Sequence, residues 1–342
     1  MTTPATSSAD GRRVGFAIAG LGSLSANQIA PALAKTRHCR LAGIVTNSAE
    51  KARAWQQHYE LPDRAVYRYD NMEAMADNPD IDAVFIVTPN ALHAEHTAKA
   101  ARAGKHVLCE KPMEVSVERC QRMIDACRKA GRQLAIAYRC QFEPHNLEAI
   151  RLAREEVFGK TRIIEATFGF PLSNEEQWRL RHDLAGGGAL MDVGVYALQA
   201  TRYLTGEEPV MVSALETKTN PARFKEVDET VTWQMTFPSG VIAHCATSYN
   251  VDETDRFTVI AERGRFGLAP AFSYNGMSGW RSDGQPFYFP QTDHFAVQMD
   301  DFAECILTGR PTRVPGEEGL RDMRVIEAIY ESIRTGKTVR LG

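Results

Sequence analysis

Three residues could carry chemistry in this chain: Lys111 in Cys109-Glu110-Lys111-Pro112-Met113, and Asp192 and Tyr196, four apart in the stretch after Gly186-Gly187-Gly188. Residues at i and i+4 share one face of a helix. A polar pair interrupting an apolar face is poorly explained as core, because burying polar groups costs free energy unless they are partnered. The competing reading has Asp192 capping a turn and Tyr196 half-exposed. Tyrosine, with a reference pKa of about 10, is a poor base at neutral pH, but a neighbouring ammonium favours the phenolate and stabilises a developing alkoxide. Pro112 ends a strand and fixes the turn, which places Lys111 at a strand's carboxyl end beside a nicotinamide ring, with Glu110 on the cofactor ribose or holding the lysine.

These side chains need a scaffold, and the strand 14–19 running into Gly20 and Gly22 and then a helix supplies its first part. Gly20 allows a tight turn, Gly22 lets backbone approach phosphates, and the helix beyond Ser23 and Leu24 offers unpaired N–H groups and its positive end. The third small position is Ser25 rather than Gly or Ala. Strands at 14–19, 39–46, 83–87 and 106–109, with a short one at 134–137, alternate with helices near 26–35, 48–58, 71–77, 91–103 and 116–130. That alternation predicts an α/β Rossmann domain over residues 1–138. From 139 to 342 the texture changes to longer Val-, Ile-, Thr- and aromatic-rich runs near 162–168, 229–237, 241–249 and 257–262, then two helices near 295–308 and 316–334. This predicts an α+β domain with a large, mostly antiparallel sheet.

The second strand ends Val45-Thr46-Asn47-Ser48 without the acidic residue that binds ribose hydroxyls in NAD enzymes. Thr46 and Ser48 can hydrogen-bond a 2'-phosphate and Lys51 can reach it, so NADP is favoured over NAD. The plainer reading makes Ser48 a helix N-cap and Lys51 a solvated side chain. Thr88-Pro89-Asn90 closes the third long strand where ligands gather, and His93 borders the nicotinamide or serves packing. His93 and His96 are three apart but lack a third ligand, so no metal is expected.

Of 342 residues 44% are hydrophobic and 24% charged, the formal net charge is −3, and no long basic block appears. This suits a soluble globular chain without nucleic-acid or membrane partners. Seven cysteines without a C-x-x-C pair suit reduced thiols, and the polar opening residues lack the apolar core of a signal peptide. A cytoplasmic location is expected.

Gly20 and Gly22, Asn90 to His93, Glu110-Lys111-Pro112 and Asp192 to Tyr196 together resemble the glucose–fructose oxidoreductase / inositol dehydrogenase family. The stretches 138–146, 177–181, 185–188 and 315–319 are similar to the glucose–fructose and aldose–aldose oxidoreductase branch of it. The resemblance implies NADP in the first domain, and an open second sheet that forms the substrate wall and the interface of a dimer or tetramer. It makes Lys111, Asp192 and Tyr196 catalytic, and many members carry His in place of the tyrosine. It sets Tyr69 near the adenine, Arg139, Trp178 and Arg179 along the cofactor, and Arg181 with the catalytic three at the substrate. It implies oxidation of cyclic aldoses at C1 to lactones and reduction of an open-chain sugar to an alditol, with NADP retained and recycled. Only about thirteen residues precede the first strand, whereas the periplasmic relative has an export segment and an arm over its nucleotide. A dissociable NADP-dependent aldose dehydrogenase would use the same residues. A non-catalytic sugar- or NADP-sensing protein would leave Lys111, Asp192 and Tyr196 unexplained, and the sugar preferred by an enzyme is not legible in the residues.

Overall fold

The computed structural model describes residues 11–173 and 177–342; the first ten residues of the polar opening lie outside that range. Strands β1 (Val14–Ala19), β2 (Cys39–Val45), β3 (Val66–Tyr67), β4 (Ala83–Ile86), β5 (His106–Cys109) and β6 (Leu134–Ile136) form one sheet in the order β3-β2-β1-β4-β5-β6, every pair parallel. β1 and β4 are buried along their whole length, as expected of strands covered on both faces. Helices α1 (Ala30–Leu33), α2 (Ala49–His58), α3 (His93–Arg102) and α4 (Val117–Lys129) make the crossovers. The reversal of strand order between β1 and β4 opens the crevice at their carboxyl ends. The predicted helix at 71–77 is a run of tight 3₁₀ turns, Met72–Asp77, and the two-residue β3 was too short to show in the sequence.

The second sheet has eight strands: β7 (Thr161–Gly169), β8 (Met211–Thr217), β9 (Thr230–Thr236), β10 (Ile242–Ser248), β11 (Thr254–Ala261), β12 (Gly264–Leu268), β13 (Gly279–Arg281) and β14 (Val339–Arg340), in the order β13-β12-β11-β7-β10-β9-β8-β14. Its ladders are antiparallel except β7 with β10. β9 alternates buried Val231, Trp233 and Met235 with outward Thr232 and Gln234, the pattern of a sheet covered on one face. Helices α5 (Pro144–Arg154), α6 (His182–Ala185), α7 (Val195–Thr205), α8 (His294–Thr308) and α9 (Gly316–Thr335) complete the chain.

The last two helices return to the first sheet. Before α8, Asp293 pairs with Lys35 at 2.7 Å, and in α8 Asp300 accepts from the backbone N–H groups of Arg37 and His38. Ahead of α9, Val314 O accepts from Ile136 N at 2.8 Å, and a Cβ on Gly319 would stand 2.7 Å from Met113 Cβ. One apolar core therefore runs from Val14 through β5 to Phe302 and Ile329. The strand ends of the first sheet and the start of α7 are fixed against each other by this packing. No helix among the described residues is long and apolar enough to cross a membrane.

Candidate active site

At the end of β1 the chain turns at Gly20 with φ +101°, and a Cβ there would lie 2.5 Å from Val87 O. Only glycine fits both restrictions. A Cβ on Gly22 would meet nothing within 4 Å, so that face is open to a ligand. Ser25 is fully buried and donates from Oγ to Gly20 O at 2.5 Å, which accounts for serine at the third small position. The following segment starts as a widened turn over Ser25–Ile29 before tightening into α1.

After β2, Ser48 caps α2 by accepting from Lys51 N, and its own N–H donates to Thr46 Oγ1. The capping reading of Ser48 is thus satisfied, with Lys51 exposed on the first turn. Asn47 Oδ1 accepts from Tyr69 N, and the Tyr69 ring stacks on His96 at 4.7 Å. His96 Nδ1 lies 3.1 Å from Thr88 Oγ1, and burial lowers its pKa to about 4.

His93 belongs to the framework. It is fully buried, with Nε2 2.8 Å from Thr88 O and Nδ1 3.1 Å from the carbonyls of Pro112 and Met113. The ring lies between the turns after β4 and β5, with main-chain carbonyls facing both of its nitrogens. Asn90 donates to Ala185 O at 2.9 Å and ties the β4 end to α6. No group of three metal-ligating side chains occurs among the described residues.

Catalytic side chains meet where β5 ends and α7 begins. Gly188 N and Leu190 N donate to the two carboxylate oxygens of Asp228, capping the turn that leads into α7, and a Cβ on Gly188 would lie 1.9 Å from Asp228 O. Glycine is required there by close approach. Leu190–Gly194 is a widened turn that runs straight into α7, so Asp192 and Tyr196 both reach the crevice.

Lys111 Nζ donates to Asp192 O at 2.6 Å and Asp192 Oδ1 at 3.3 Å. Arg179 Nε and Tyr249 Oη each donate to Asp192 Oδ2 at 2.9 Å. Burial pushes the Asp192 carboxyl up, but the charges of Arg179 and Lys111 and the Tyr249 hydroxyl outweigh it and hold it below the usual carboxylate range. Asp192 is a fixed carboxylate rather than a proton carrier at neutral pH.

Lys111 Nζ also stands over the Tyr196 ring, 4.7 Å from its centroid, with the Arg139 guanidinium 4.9 Å from the same centroid. Burial raises the Tyr196 phenol well above its ordinary value, and Arg139 is the leading influence against that rise. The expected direct action of the Lys111 ammonium on the phenolate thus meets a different geometry: the ammonium is committed to Asp192 and faces the ring.

Glu110 is buried, its Oε1 has no partner among the described residues, and burial lifts its pKa from 4.5 to about 7 against the pull of Lys111 and Arg139. An acid whose folded pKa is raised binds its proton more readily folded than unfolded, so it lowers stability increasingly as pH climbs from 4.5 to about 7. The full penalty, on the order of 3 kcal/mol, persists above that range. In the protein without nucleotide, Glu110→Gln is expected to raise the melting temperature at about pH 8.5 and leave it nearly unchanged at about pH 3.5, below the ordinary glutamate pKa. Equal shifts at both pH values would remove the carboxylate as the cause.

Arg181 lies outside this cluster, exposed and paired with Asp183 at 2.7 Å. Trp178 is drawn in through Arg179, whose guanidinium sits 4.6 Å from its ring. Tyr249 joins the polar cluster through Asp192, whereas Phe142 and Phe287 are core and Tyr288 is exposed. Tyr274, absent from the sequence reading, lies against Arg139 at 4.7 Å. The crevice fits a dinucleotide: its glycine turn is open at Gly22, and Glu110 offers a buried acceptor oxygen without a partner among the described residues.

Two family models match the chain: an oxidoreductase family with an NAD-binding Rossmann fold over residues 14–138, and the GFO/IDH/MocA C-terminal domain over residues 146–267. A D-xylose 1-dehydrogenase [NADP(+)] of Haloarcula marismortui is 32% identical, over 96% of this chain and 93% of that one. A D-xylose 1-dehydrogenase (NADP(+)) 2 of Haloferax volcanii is also 32% identical, over 95% and 99%. Among solved structures, the aldose-aldose oxidoreductase from Caulobacter crescentus, complexed with glycerol, is 44% identical with a TM-score of 0.91, covering 96% of this chain and 100% of that one.

Proposed function

The chain belongs to the GFO/IDH/MocA oxidoreductase family, and from that premise we propose that it is an NADP(H)-dependent sugar oxidoreductase that oxidises cyclic aldoses at C1 and reduces open-chain sugars with the same bound cofactor. The observation that carries the proposal is the convergence of Lys111, Asp192, Arg179, Tyr249 and Tyr196 at the carboxyl end of β5. A nicotinamide bound along the crevice from Gly20 to Glu110 supplies the two-electron exchange with the sugar carbon. Thr46, Ser48 and Lys51 hold the 2'-phosphate of NADP at the end of β2, and the NADP(+) named for the two xylose dehydrogenases supports that choice.

The protein groups divide proton transfer, charge stabilisation and sugar orientation among them. Tyr196 Oη takes the proton of the C1 hydroxyl in oxidation, giving a lactone, and returns it to the carbonyl oxygen in reduction, giving an alditol. Lys111 Nζ stabilises the oxygen on which negative charge grows. Asp192, kept ionised by its three donors, accepts from a neighbouring sugar hydroxyl and fixes Lys111. Seven buried free cysteines support the expected reducing compartment. The outer face of the second sheet, where Leu215 is exposed, is proposed as the contact between subunits.

A second reading, a dehydrogenase with dissociable NADP, is favoured by the names of the two xylose dehydrogenases. The test is to purify the protein without added nucleotide, denature a portion and identify what is released, and assay the rest with xylose or glucose alone. Stoichiometric NADP(H) with both sugar acid and sugar alcohol is the expected outcome. An empty protein that oxidises sugar only when NADP is supplied overturns the self-recycling reading and leaves the second.

A further inference from the structure

Arg139 follows Tyr138, whose Oη donates to Asp322 Oδ2 in α9, and starts the turn Arg139–Phe142 that joins the two halves of the chain. It is 3% exposed. Its Nη1 donates to Ser273 O at 3.0 Å and to His294 Nε2 at 3.3 Å, and its Nη2 donates to Phe272 O. The loop it grips is held from the other side by Asp255, which accepts from the backbone N–H groups of Ala271 and Phe272 and from Ser273 Oγ. Between these anchors the guanidinium lies 4.9 Å from the Tyr196 ring centroid, 4.7 Å from that of Tyr274 and 5.7 Å from that of Phe295.

The charge balance of the site makes this arrangement informative. The ammonium of Lys111 and the guanidinium of Arg179 both meet Asp192 within ion-pair distance. Among the described residues Arg139 meets carbonyls, aromatic faces and a histidine, with no carboxylate within that distance. Burial keeps His294 neutral, with the Arg139 charge adding to the effect and bringing its pKa to about 3, so the imidazole accepts and gives no compensating charge. A buried cation without a counter-ion is costly. A negative charge formed on Tyr196 during the reaction would offset that cost.

We propose that Arg139 is the positioning residue that sets the proton affinity of Tyr196, its charge, which meets no carboxylate within ion-pair distance, serving as the counter-ion of the phenolate formed when the tyrosine gives up its proton. The proposal rests on the reading of Tyr196 as the proton-transfer group. The groups that face Tyr196 are Glu110 and Lys111 beyond β5, Arg139 and Cys140 from the joining turn, Asp192 from the same helical segment, and Tyr274 from the loop after β12. Of these, Glu110 and Cys140 oppose ionisation of the phenol and Arg139 favours it. The ordinary role of such an arginine, joining two segments, leaves the pH dependence of the reaction unmoved, which gives the test its discrimination.

The experiment compares the pH profile of kcat/KM for aldose oxidation in the nucleotide-loaded wild type, Arg139→Met, Arg139→Lys and Lys111→Met. Oxidation requires the unprotonated phenol, so loss of the Arg139 charge is expected to move the rising limb up by about one pH unit or more, a roughly tenfold loss below the limb that shrinks as the solution is made alkaline. Arg139→Lys, which keeps a charge but not the planar stack, should fall between the two and provides the same readout if the methionine variant does not fold. Lys111→Met is expected to lower the rate across the range without moving the limb. An unmoved limb in a folded Arg139 variant, or a limb that moves in Lys111→Met and not in the Arg139 variants, overturns the proposal. Wild-type turnover by Tyr196→Phe would instead remove the premise.

Discussion

Tyr196→Phe is expected to lower kcat in both directions by about 10²–10⁴ while the protein folds and binds NADP as before. The ring is packed by Phe168 at 5.5 Å and Phe272 at 5.8 Å and is covered by the two cations, and phenylalanine preserves those contacts. What disappears is the hydroxyl, the group placed to exchange a proton with the C1 oxygen. Because sugar binding rests on Asp192 and Lys111 in this reading, KM should change less than kcat. A single-turnover measurement on the nucleotide-loaded protein, following reduction of the bound nicotinamide after mixing with xylose, separates the chemical step from release. Wild-type turnover in that experiment would transfer the proton to another group and sink the acid–base assignment. The buried Tyr196 phenol, raised well above its ordinary value, also makes oxidation faster toward alkaline pH, and the phenylalanine variant should lose that dependence along with the rate.

Much of the site is visible in the chain because a few positions obey restrictions that sequence displays directly. Gly20 needs positive φ and space that no side chain allows, and Pro112 marks the strand end that delivers Lys111. Asp192 and Tyr196 are recognisable as a pair because their spacing is a local property. The partners of those residues are not local. Tyr249 reaches Asp192 across 57 residues of chain, and nothing in the strand end Ala246-Thr247-Ser248 that precedes it tells a site tyrosine from a core one. Arg139 meets Tyr274 only because Asp255 shapes the intervening loop.

The same limit explains the differences in the framework. A histidine near a strand's carboxyl end reads as a ligand neighbour or a packing residue, and only the fold shows that main-chain carbonyls face both nitrogens of His93. The β7–β10 pair is parallel because their connection crosses over through α7, β8 and β9, and hydropathy alternation does not record strand direction. The return of α8 and α9 to the first sheet depends on single contacts such as Asp300 with the N–H groups of Arg37 and His38. Composition texture places these helices with the second half of the chain, whereas their buried faces also serve the first.

Lys111→Ala should be the other large loss, about 10³ in kcat, with little loss of fold. The ammonium contributes two donors to Asp192, and after its removal the carboxylate keeps Arg179 and Tyr249 at 2.9 Å each, so no buried charge is stranded. The stability cost is then that of hydrogen bonds lost from a largely buried carboxylate that stays paired, about 1–3 kcal/mol, readable as a modest drop in Tm. Catalysis loses far more because the ammonium, which also lies over the Tyr196 ring, is the positive group placed between Asp192 and Tyr196 where charge builds on the C1 oxygen, and water cannot supply an equally fixed dipole there. Arginine should fail to restore the rate: its planar fork reaches further than Nζ and matches a carboxylate rather than a single developing oxyanion. The measurement is kcat and KM for aldose oxidation by Lys111→Ala and Lys111→Arg beside a thermal melt of each. Near-wild-type kcat in Lys111→Ala would remove Lys111 from the chemistry, near-wild-type kcat in Lys111→Arg would show that charge without the compact ammonium suffices, and a Tm drop large enough to unfold Lys111→Ala would assign it to the framework that holds Asp192.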